Sequence, residues 1–336
     1  MPRRAPAFWS RRGAVAWALM PLSLLFGAVA GLRRGLFRNG WLRTERLPAP
    51  VIVVGNIAVG GSGKTPVTLW LVEHLKAAGR RPGIVSRGYG GHVEGVAEVP
   101  PDGDPAHFGD EPVLMAHLAG VPVWVGRDRP AAGMALLAAH PDVDVLVCDD
   151  GLQHYRLQRD VEVVVVDQAT LGNGLRLPAG PLREGVTRLA RADLVLAHGA
   201  LAPSVRRACG TTPVFEFHLA GAAFERLSDR GERRPPSALM GRRLRALAGI
   251  GRPERFFAQL EAMGLAVERC PLPDHHVFTP ADVTLEGVDA LVMTEKDAVK
   301  CAPFAPHESW VWPVRAHVPS RAAELILEKI DGSPSA

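Results

Sequence analysis

The sequence predicts an α/β fold: a three-layer α/β/α sandwich on a mostly parallel sheet, a smaller α/β domain after it, and an apolar helix before it. Three observations carry that expectation. Short, near-continuous apolar runs alternate with helical stretches, as strands covered on both faces by helices require. A glycine-rich turn joins the first of these runs to a helix. The rhythm then breaks in a stretch rich in Arg, Pro, Gly and Ser, from Glu225 to Arg245, and starts again beyond it. The expected units are residues 1–45, 46–235 and 236–336.

At the N-terminus, no residue from Ala14 to Leu32 is charged, and the run holds Trp17, Leu22, Leu24, Leu25 and Phe26. Arg11 and Arg12 precede it; Arg33, Arg34 and Arg38 follow. Three readings compete. An export signal has its cleavage pattern in Ala28-Val29-Ala30, but Gly60-Gly61-Ser62-Gly63-Lys64-Thr65 further along has the pattern of a nucleotide phosphate loop, and export would carry it away from its ligand. A spanning helix is long enough, though Pro21, Ser23 and many alanines weaken it. A membrane anchor with arginines at both ends, resting on anionic head groups, fits best.

Next, Val51–Val54 reads as a buried strand ending at Gly55, and Pro66 to Ala78 as a helix with Val67, Leu71 and Leu75 on one face, stopped by Gly79. Further strands are expected at Gly83–Ser86, Val121–Val125, Val143–Cys148, Val161–Val166 and Leu194–Ala197. In the second unit, Leu247–Gly251 opens a strand and turn, a helix runs from Pro253 to Met263, and strands follow near Ala266–Arg269, Ala290–Met293 and Trp310–Val314. The last few residues read as disordered.

Composition narrows the classes. With 336 residues, 35 Gly, 29 Pro and a formal charge of +4, the chain is globular and mildly basic. No long basic stripe supports nucleic-acid binding, and no obligate protein partner is implied. The balance suits phosphate ligands or an anionic membrane. Cys148, Cys209, Cys270 and Cys301 form no CxxC pair, which reads as reduced, buried thiols.

The segment Ala58-Val59-Gly60-Gly61-Ser62-Gly63-Lys64-Thr65, between strand and helix, has the chemistry of a phosphate loop. Backbone N–H groups and the positive helix end cradle the phosphates, Lys64 reaches the β- and γ-phosphates, and Thr65 holds Mg²⁺. ATP and Mg²⁺ are the implied ligands, and the fold is of the P-loop NTPase type. Ala58 departs from the usual pattern, which has glycine there. Asp149 and Asp150 end a buried parallel strand, where ligands of such sheets bind; alone they would read as solvated turn acids. Asp110 and Glu111 open a helix. Asp110 reads most simply as an N-cap and Glu111 as a first-turn acid, or else Asp110 is a general base for an acceptor hydroxyl. His275 and His276 sit in a loop after a strand. Either is more often structural, though one could orient an aspartate across a cleft. Ser86–Gly91, Arg127–Arg129 and Thr294–Asp297 are weaker loop candidates.

Together these segments resemble the tetraacyldisaccharide 4'-kinases of lipid A synthesis. The resemblance rests on Gly60-Gly61-Ser62-Gly63-Lys64-Thr65-Pro66, Ser86-Arg87-Gly88-Tyr89-Gly90, Gly109-Asp110-Glu111-Pro112, Asp149-Asp150-Gly151-Leu152-Gln153-His154, Gly172-Asn173-Gly174, Pro178–Glu184, Asp274-His275 and Thr294–Asp297. It implies transfer of the γ-phosphate of ATP to the 4'-hydroxyl of a tetraacylated glucosamine disaccharide 1-phosphate, giving lipid IVA, at the cytoplasmic face of the inner membrane of a Gram-negative bacterium. It also implies Lys64 and Asp110 as catalytic residues with His275 as partner, and Thr65, Glu111, Asp149 and Asp150 about Mg²⁺. Arg87, Gln153, His154, Asn173 and Arg183 would meet the acceptor. With that resemblance Ala58 is no anomaly. The competing reading is a membrane-associated switch ATPase of the partition or signal-recognition type, many of which carry lysine where this chain has Val59 and lack the Asp-Asp-Gly-Leu-Gln-His run.

Overall fold

The computed structural model describes Pro6–Gly332. The last four residues, expected to be disordered, lie outside it. Strands β1 (Val51–Gly55), β2 (Pro82–Ser86), β3 (Val96–Glu98), β4 (Val123–Gly126), β5 (Val145–Asp149), β6 (Val161–Asp167), β7 (Leu194–His198) and β8 (Val214–Ala220) belong to one large sheet. Strands β9 (Phe224–Arg226), β10 (Arg233–Arg234), β11 (Leu244–Ala248), β12 (Val267–Pro271), β13 (Ala290–Thr294) and β14 (Ser309–Trp312) form a second sheet, and β15 (Arg315–His317) returns to the first. The order in the large sheet is β15-β8-β7-β6-β1-β5-β2-β4-β3, parallel except at its two edges. Every residue of β1, β2 and β5 is buried. That is why these strands read as unbroken apolar runs rather than alternating ones.

Ten helices flank the sheets among the described residues: α1 (Ala14–Ala18), α2 (Met20–Arg38), α3 (Lys64–Ala77), α4 (Pro105–Phe108), α5 (Asp110–Ala119), α6 (Arg129–Ala139), α7 (Pro203–Ala208), α8 (Pro253–Ala262), α9 (Glu295–Cys301) and α10 (Ser320–Asp331). Apolar clusters fill both faces of the large sheet, one with Trp70 and Met115, the other with Leu136 and Leu152. The small sheet has two of its own, around Phe257 and around Met293.

Two sequence expectations change here. The stretch 225–245, read as a linker, is folded into β9, β10 and the start of β11. Its arginines are spent internally: Arg226 lies 4.5 Å over the Trp310 ring and pairs with Glu232 and Glu308. β9 buries the charge-paired Arg226 and β10 consists of two arginines, so no apolar run announces either strand. Residue 235 therefore falls after two strands of the small sheet. The chain also leaves that sheet at its far end, because Ala322, Ile326 and Ile330 on one face of α10 pack into the large core. The four cysteines are free and three of them are buried, as expected.

The apolar run at the N-terminus folds as α1 and α2 rather than one rod. Helix α2, with 19 residues and Pro21 in its first turn, is long and apolar enough to cross a membrane by length and composition, and Ser23 is its one buried residue. It is tied down from one side: Ser23 Oγ donates to Arg176 O at 2.9 Å, and Arg34 pairs with Glu184 at 2.9 Å.

Candidate active site

Parallel strands aim their carboxyl ends at one edge of the large sheet, and the reactive side chains gather there. β1 ends at Gly55, whose added Cβ would stand 2.5 Å from Leu152 Cβ, so the strand can only exit here as glycine. Asn56 is buried and donates to Ser62 Oγ at 3.1 Å, bracing the loop from inside. Gly60 and Gly63 have φ of 113° and 88°, values that side chains resist. Ala58 is 1% exposed and bridges Leu182, while Val59 N donates to Pro181 O at 2.9 Å. The departure from glycine thus has a packing cause: that methyl belongs to the core.

α3 starts at Lys64, with Thr65 half-buried behind it. Lys64 Nζ lies 3.5 Å from Asp150, which takes φ 48° and also pairs with Arg183 at 3.2 Å. Burial pushes the Asp150 carboxyl up, yet Lys64 and Arg183 outweigh it and hold it below the usual range. Asp149 behaves differently. Its Oδ1 accepts from Thr68 Oγ1 at 2.9 Å, and its Oδ2 is buried with no hydrogen-bond partner. Burial, reinforced by the charge of Glu111, pushes it up to about 7 although Lys64 opposes this. A buried carboxylate oxygen without a partner is what a hard cation would satisfy. Among the described residues no three His, Cys, Asp or Glu form a closed metal cage. None is needed, since Mg²⁺ at phosphates takes one or two carboxylates and keeps its waters.

Asp110 is the first residue of α5, not its cap. Gly109 caps the helix through its backbone at φ 94°, and its added Cβ would stand 2.5 Å from Tyr89 O. The carboxylate is left free for other work and is 8% exposed. Its Oδ2 lies 3.2 Å from His275 Nδ1 and 3.5 Å from Lys300 Nζ, both from the small-sheet layer. Burial raises its pKa, but the His275 hydrogen bond and the charges of Lys300 and Lys296 prevail and keep it low. His275 sits at φ 59° with its ring 5.1 Å from Tyr89, whereas His276 turns away to Asp282 at 3.4 Å. Glu111 pairs with Lys296 at 3.1 Å; despite burial, Lys296 and Lys64 hold its carboxyl below the usual range.

Arg87, Gln153, His154 and Arg183 line one cavity of about 600 Å³, which α2 closes with Phe26, Val29 and Arg33. Its walls combine cationic side chains, among them Arg87, Arg127 and Arg183, with apolar ones such as Phe26, Val29 and Leu177. Burial, with the charge of Arg129, pushes the His154 imidazole down to about 4, so it stands neutral with Nε2 unpartnered. Asn173 does not belong to this group. Its amide donates to Phe8 O, Arg11 O and Ala179 O, and its Oδ1 accepts from Leu175 N. All its polar capacity goes to backbone, so it fastens the N-terminal segment and has nothing left for an acceptor.

Several residues were missed by the sequence reading. Thr68 shows as one more polar residue of a helix face, Lys300 as a last-turn charge, and Glu184 as the end of a motif. In space Glu184 accepts from Gln153 at 3.0 Å and from Tyr155 Oη at 2.7 Å. Only the i, i+4 spacing of Lys296 and Lys300 on a short helix hinted that both point one way.

Comparison with known proteins shows the family. A family model described as tetraacyldisaccharide-1-P 4'-kinase matches residues 15–331. The tetraacyldisaccharide 4'-kinase of Aromatoleum aromaticum is 58% identical over 337 residues, covering 100% of both chains. That of Azoarcus sp. is 58% identical over 336 residues, 99% of this chain and 97% of the relative. The crystal structure of LpxK from Aquifex aeolicus in complex with ATP superposes with a TM-score of 0.79 at 28% identity, covering 94% and 99% of the two chains.

Proposed function

We propose how this chain, which belongs to the tetraacyldisaccharide-1-P 4'-kinase family, divides its reaction among the residues of the cleft. It is an ATP-dependent lipid kinase of lipid A biosynthesis, moving phosphate onto the 4'-hydroxyl of its tetraacyldisaccharide acceptor. The switch-ATPase alternative is not favoured. In our reading the amides of Gly60–Gly63 and the N-terminus of α3 hold the phosphates of ATP, and Lys64 meets the β- and γ-phosphates. Thr65 and Asp149 would hold Mg²⁺, with Asp150 and Glu111 ordering its waters. The ion would neutralise charge on the transferring group.

Asp110 takes the proton of the acceptor hydroxyl as its oxygen bonds to the γ-phosphorus and the bond to ADP breaks. His275 holds that carboxylate in one orientation from the opposite layer. A base with a low pKa suits a loose transition state, in which the proton leaves late. Arg87, Gln153, His154 and Arg183 would meet the polar end of the acceptor, and the apolar wall from α2 its acyl side. The exposed face of α2 is consistent with membrane association, and we place the protein at the cytoplasmic face of the inner membrane, where ATP is available. Three working units follow: an anchor, a phosphate-loop layer, and a smaller layer that delivers His275.

One observation carries this reading: an ionised, nearly buried Asp110, free of capping duty, is held by His275 beside a phosphate loop. Incubation with γ-labelled ATP and the disaccharide lipid tests it. Label should pass to the lipid with the wild-type chain and fall at least about 10²-fold with Asp110→Ala, while ATP still binds. A wild-type rate in that variant would return Asp110 to a structural role.

A further inference from the structure

The two sheets face each other across the cleft with the carboxyl ends of their strands. From β1 comes the phosphate loop; from β11 and β13 come the turn at Gly249–Gly251 and helix α9. The approach is close, since a Cβ at Gly251 would stand 3.6 Å from Gly61 N and 3.3 Å from Asp274 Oδ2. The Asp274 carboxylate and the phosphate loop therefore flank Gly251 together. Lys296, the second residue of α9, reaches into the same space. Its Nζ is 3.3 Å from Asp274 Oδ1 and 3.1 Å from Glu111 Oε1, and its side chain is 16% exposed.

Glu111, next to Asp110 in the first turn of α5, fixes the other side of that position through its 3.1 Å contact with Lys296 Nζ. Lys296 thus stands between the phosphate loop and the Asp110–Glu111 pair, the path along which a γ-phosphoryl group must move. Neighbouring cations are placed differently: Lys300 is the more buried lysine, 7% exposed against Asp297 and Asp110, and Arg183 sits on Asp150 at 3.2 Å. A lysine shared by two carboxylates can exchange one of them for a phosphate oxygen at little cost in charge pairing.

We propose that Lys296 is a catalytic cation contributed by the small-sheet layer, which binds the γ-phosphoryl group opposite Lys64 and stabilises it during transfer. This rests on the phosphate-loop and Asp110 reading above, and adds a second positive arm to it. The layer that carries His275 then carries the charge as well, so base orientation and phosphoryl stabilisation arrive together when the layers meet.

Affinities for ADP and for a non-hydrolysable ATP analogue, with turnover on the lipid acceptor, test the assignment. ADP reports the phosphate loop alone; the ratio of the two affinities reports the γ-phosphate. Lys296→Met should leave ADP binding within about twofold, weaken the triphosphate about tenfold and lower kcat about 10²–10³-fold. Lys296→Arg should recover part of both. The double variant Lys296→Met with Asp274→Asn should stay impaired. Equal losses for ADP and triphosphate would make Lys296 a mere clasp between layers, and an unchanged ratio would remove it from the phosphate. Recovery in the double variant would reduce its role to neutralising Asp274. Each of these overturns the proposal, while wild-type label transfer and the Asp110→Ala defect would stand regardless.

Discussion

His275 Nδ1 lies 3.2 Å from Asp110 Oδ2, although the two residues are 165 positions apart, one opening α5 beside the large sheet and the other in the loop after β12 of the small one. Backbone geometry prepares both ends. His275 takes φ 59°, and Gly109 at φ 94° caps α5 so that Asp110 need not. A strained histidine conformation costs free energy, and here it is offset by a contact that neither layer could make alone. His275→Ala should therefore lower kcat about 10–100-fold, with the KM for ATP nearly unchanged. His275→Gln, which can still donate to Asp110, should recover part of the loss. A matching rise in KM for ATP would instead mean that the ring holds the layers together and does little for the base.

Thr68 supports Asp149 in the same indirect way. Its hydroxyl is the one hydrogen bond to that carboxylate among the described residues, and the other oxygen is unpartnered. Thr68→Val keeps shape and burial but leaves the acid free to turn. Groups that orient a metal ligand typically cost 10–100-fold when removed. We expect the Mg²⁺ concentration for half-maximal activity to rise by about that factor, measured by titration at saturating ATP. An unchanged requirement would separate Thr68, and with it Asp149 Oδ1, from the ion.

What the sequence made legible follows from the length scale of each interaction. The strand–loop–helix of residues 51–77 is local: apolar run, glycine turn and helix can be read within 27 neighbouring positions. The Asp149-Asp150 pair is equally local, because it marks the end of one strand. Asn173 was given an acceptor role only by the family resemblance, and nothing nearby in the sequence showed that its partners are the backbone of Phe8 and Arg11. The return of β15 and α10 to the large sheet is likewise invisible to a reading along the chain. Lys296 and Thr68 belong to the same class. Their neighbours in space come from other elements, Asp149 of β5 for Thr68 and Glu111 of α5 for Lys296, so a reading along the chain does not meet them.

The exposed face of α2 predicts where the chain works. Leu22, Leu25 and Leu32 share one helix face by their spacing of three and seven, and each is more than half exposed. Arginines follow the apolar run. Replacing the three leucines with serine should leave the fold intact, since none is buried, but sharply reduce co-sedimentation with anionic vesicles. Turnover on detergent-dispersed acceptor should fall much less than turnover on acceptor in vesicles. Equal vesicle binding by the variant would move the contact surface away from α2.

The small sheet should show acid sensitivity of its own, centred on Glu308. Hydrogen bonds from Arg226 and Arg242 draw its pKa down to about 2, against a modest opposing effect of burial. A carboxyl lowered on folding stabilises the native state above its unfolded value near 4.5. That contribution is lost as pH falls toward 2. Because the side chain is 31% exposed, solvent screens the pairs and the effect is well below the full shift. Still, Arg226 is nearly buried against Trp310 and has Glu232 as its second acid, so protonating Glu308 leaves a costly partner behind. Urea unfolding followed by tryptophan fluorescence should show stability dropping between pH 4.5 and pH 2 in the wild type. Glu308→Gln should be less stable at pH 7 and show a shallower drop over the same interval. Parallel slopes in the two chains would mean that the acid sensitivity arises elsewhere, and would leave the Arg226 network as packing rather than charge.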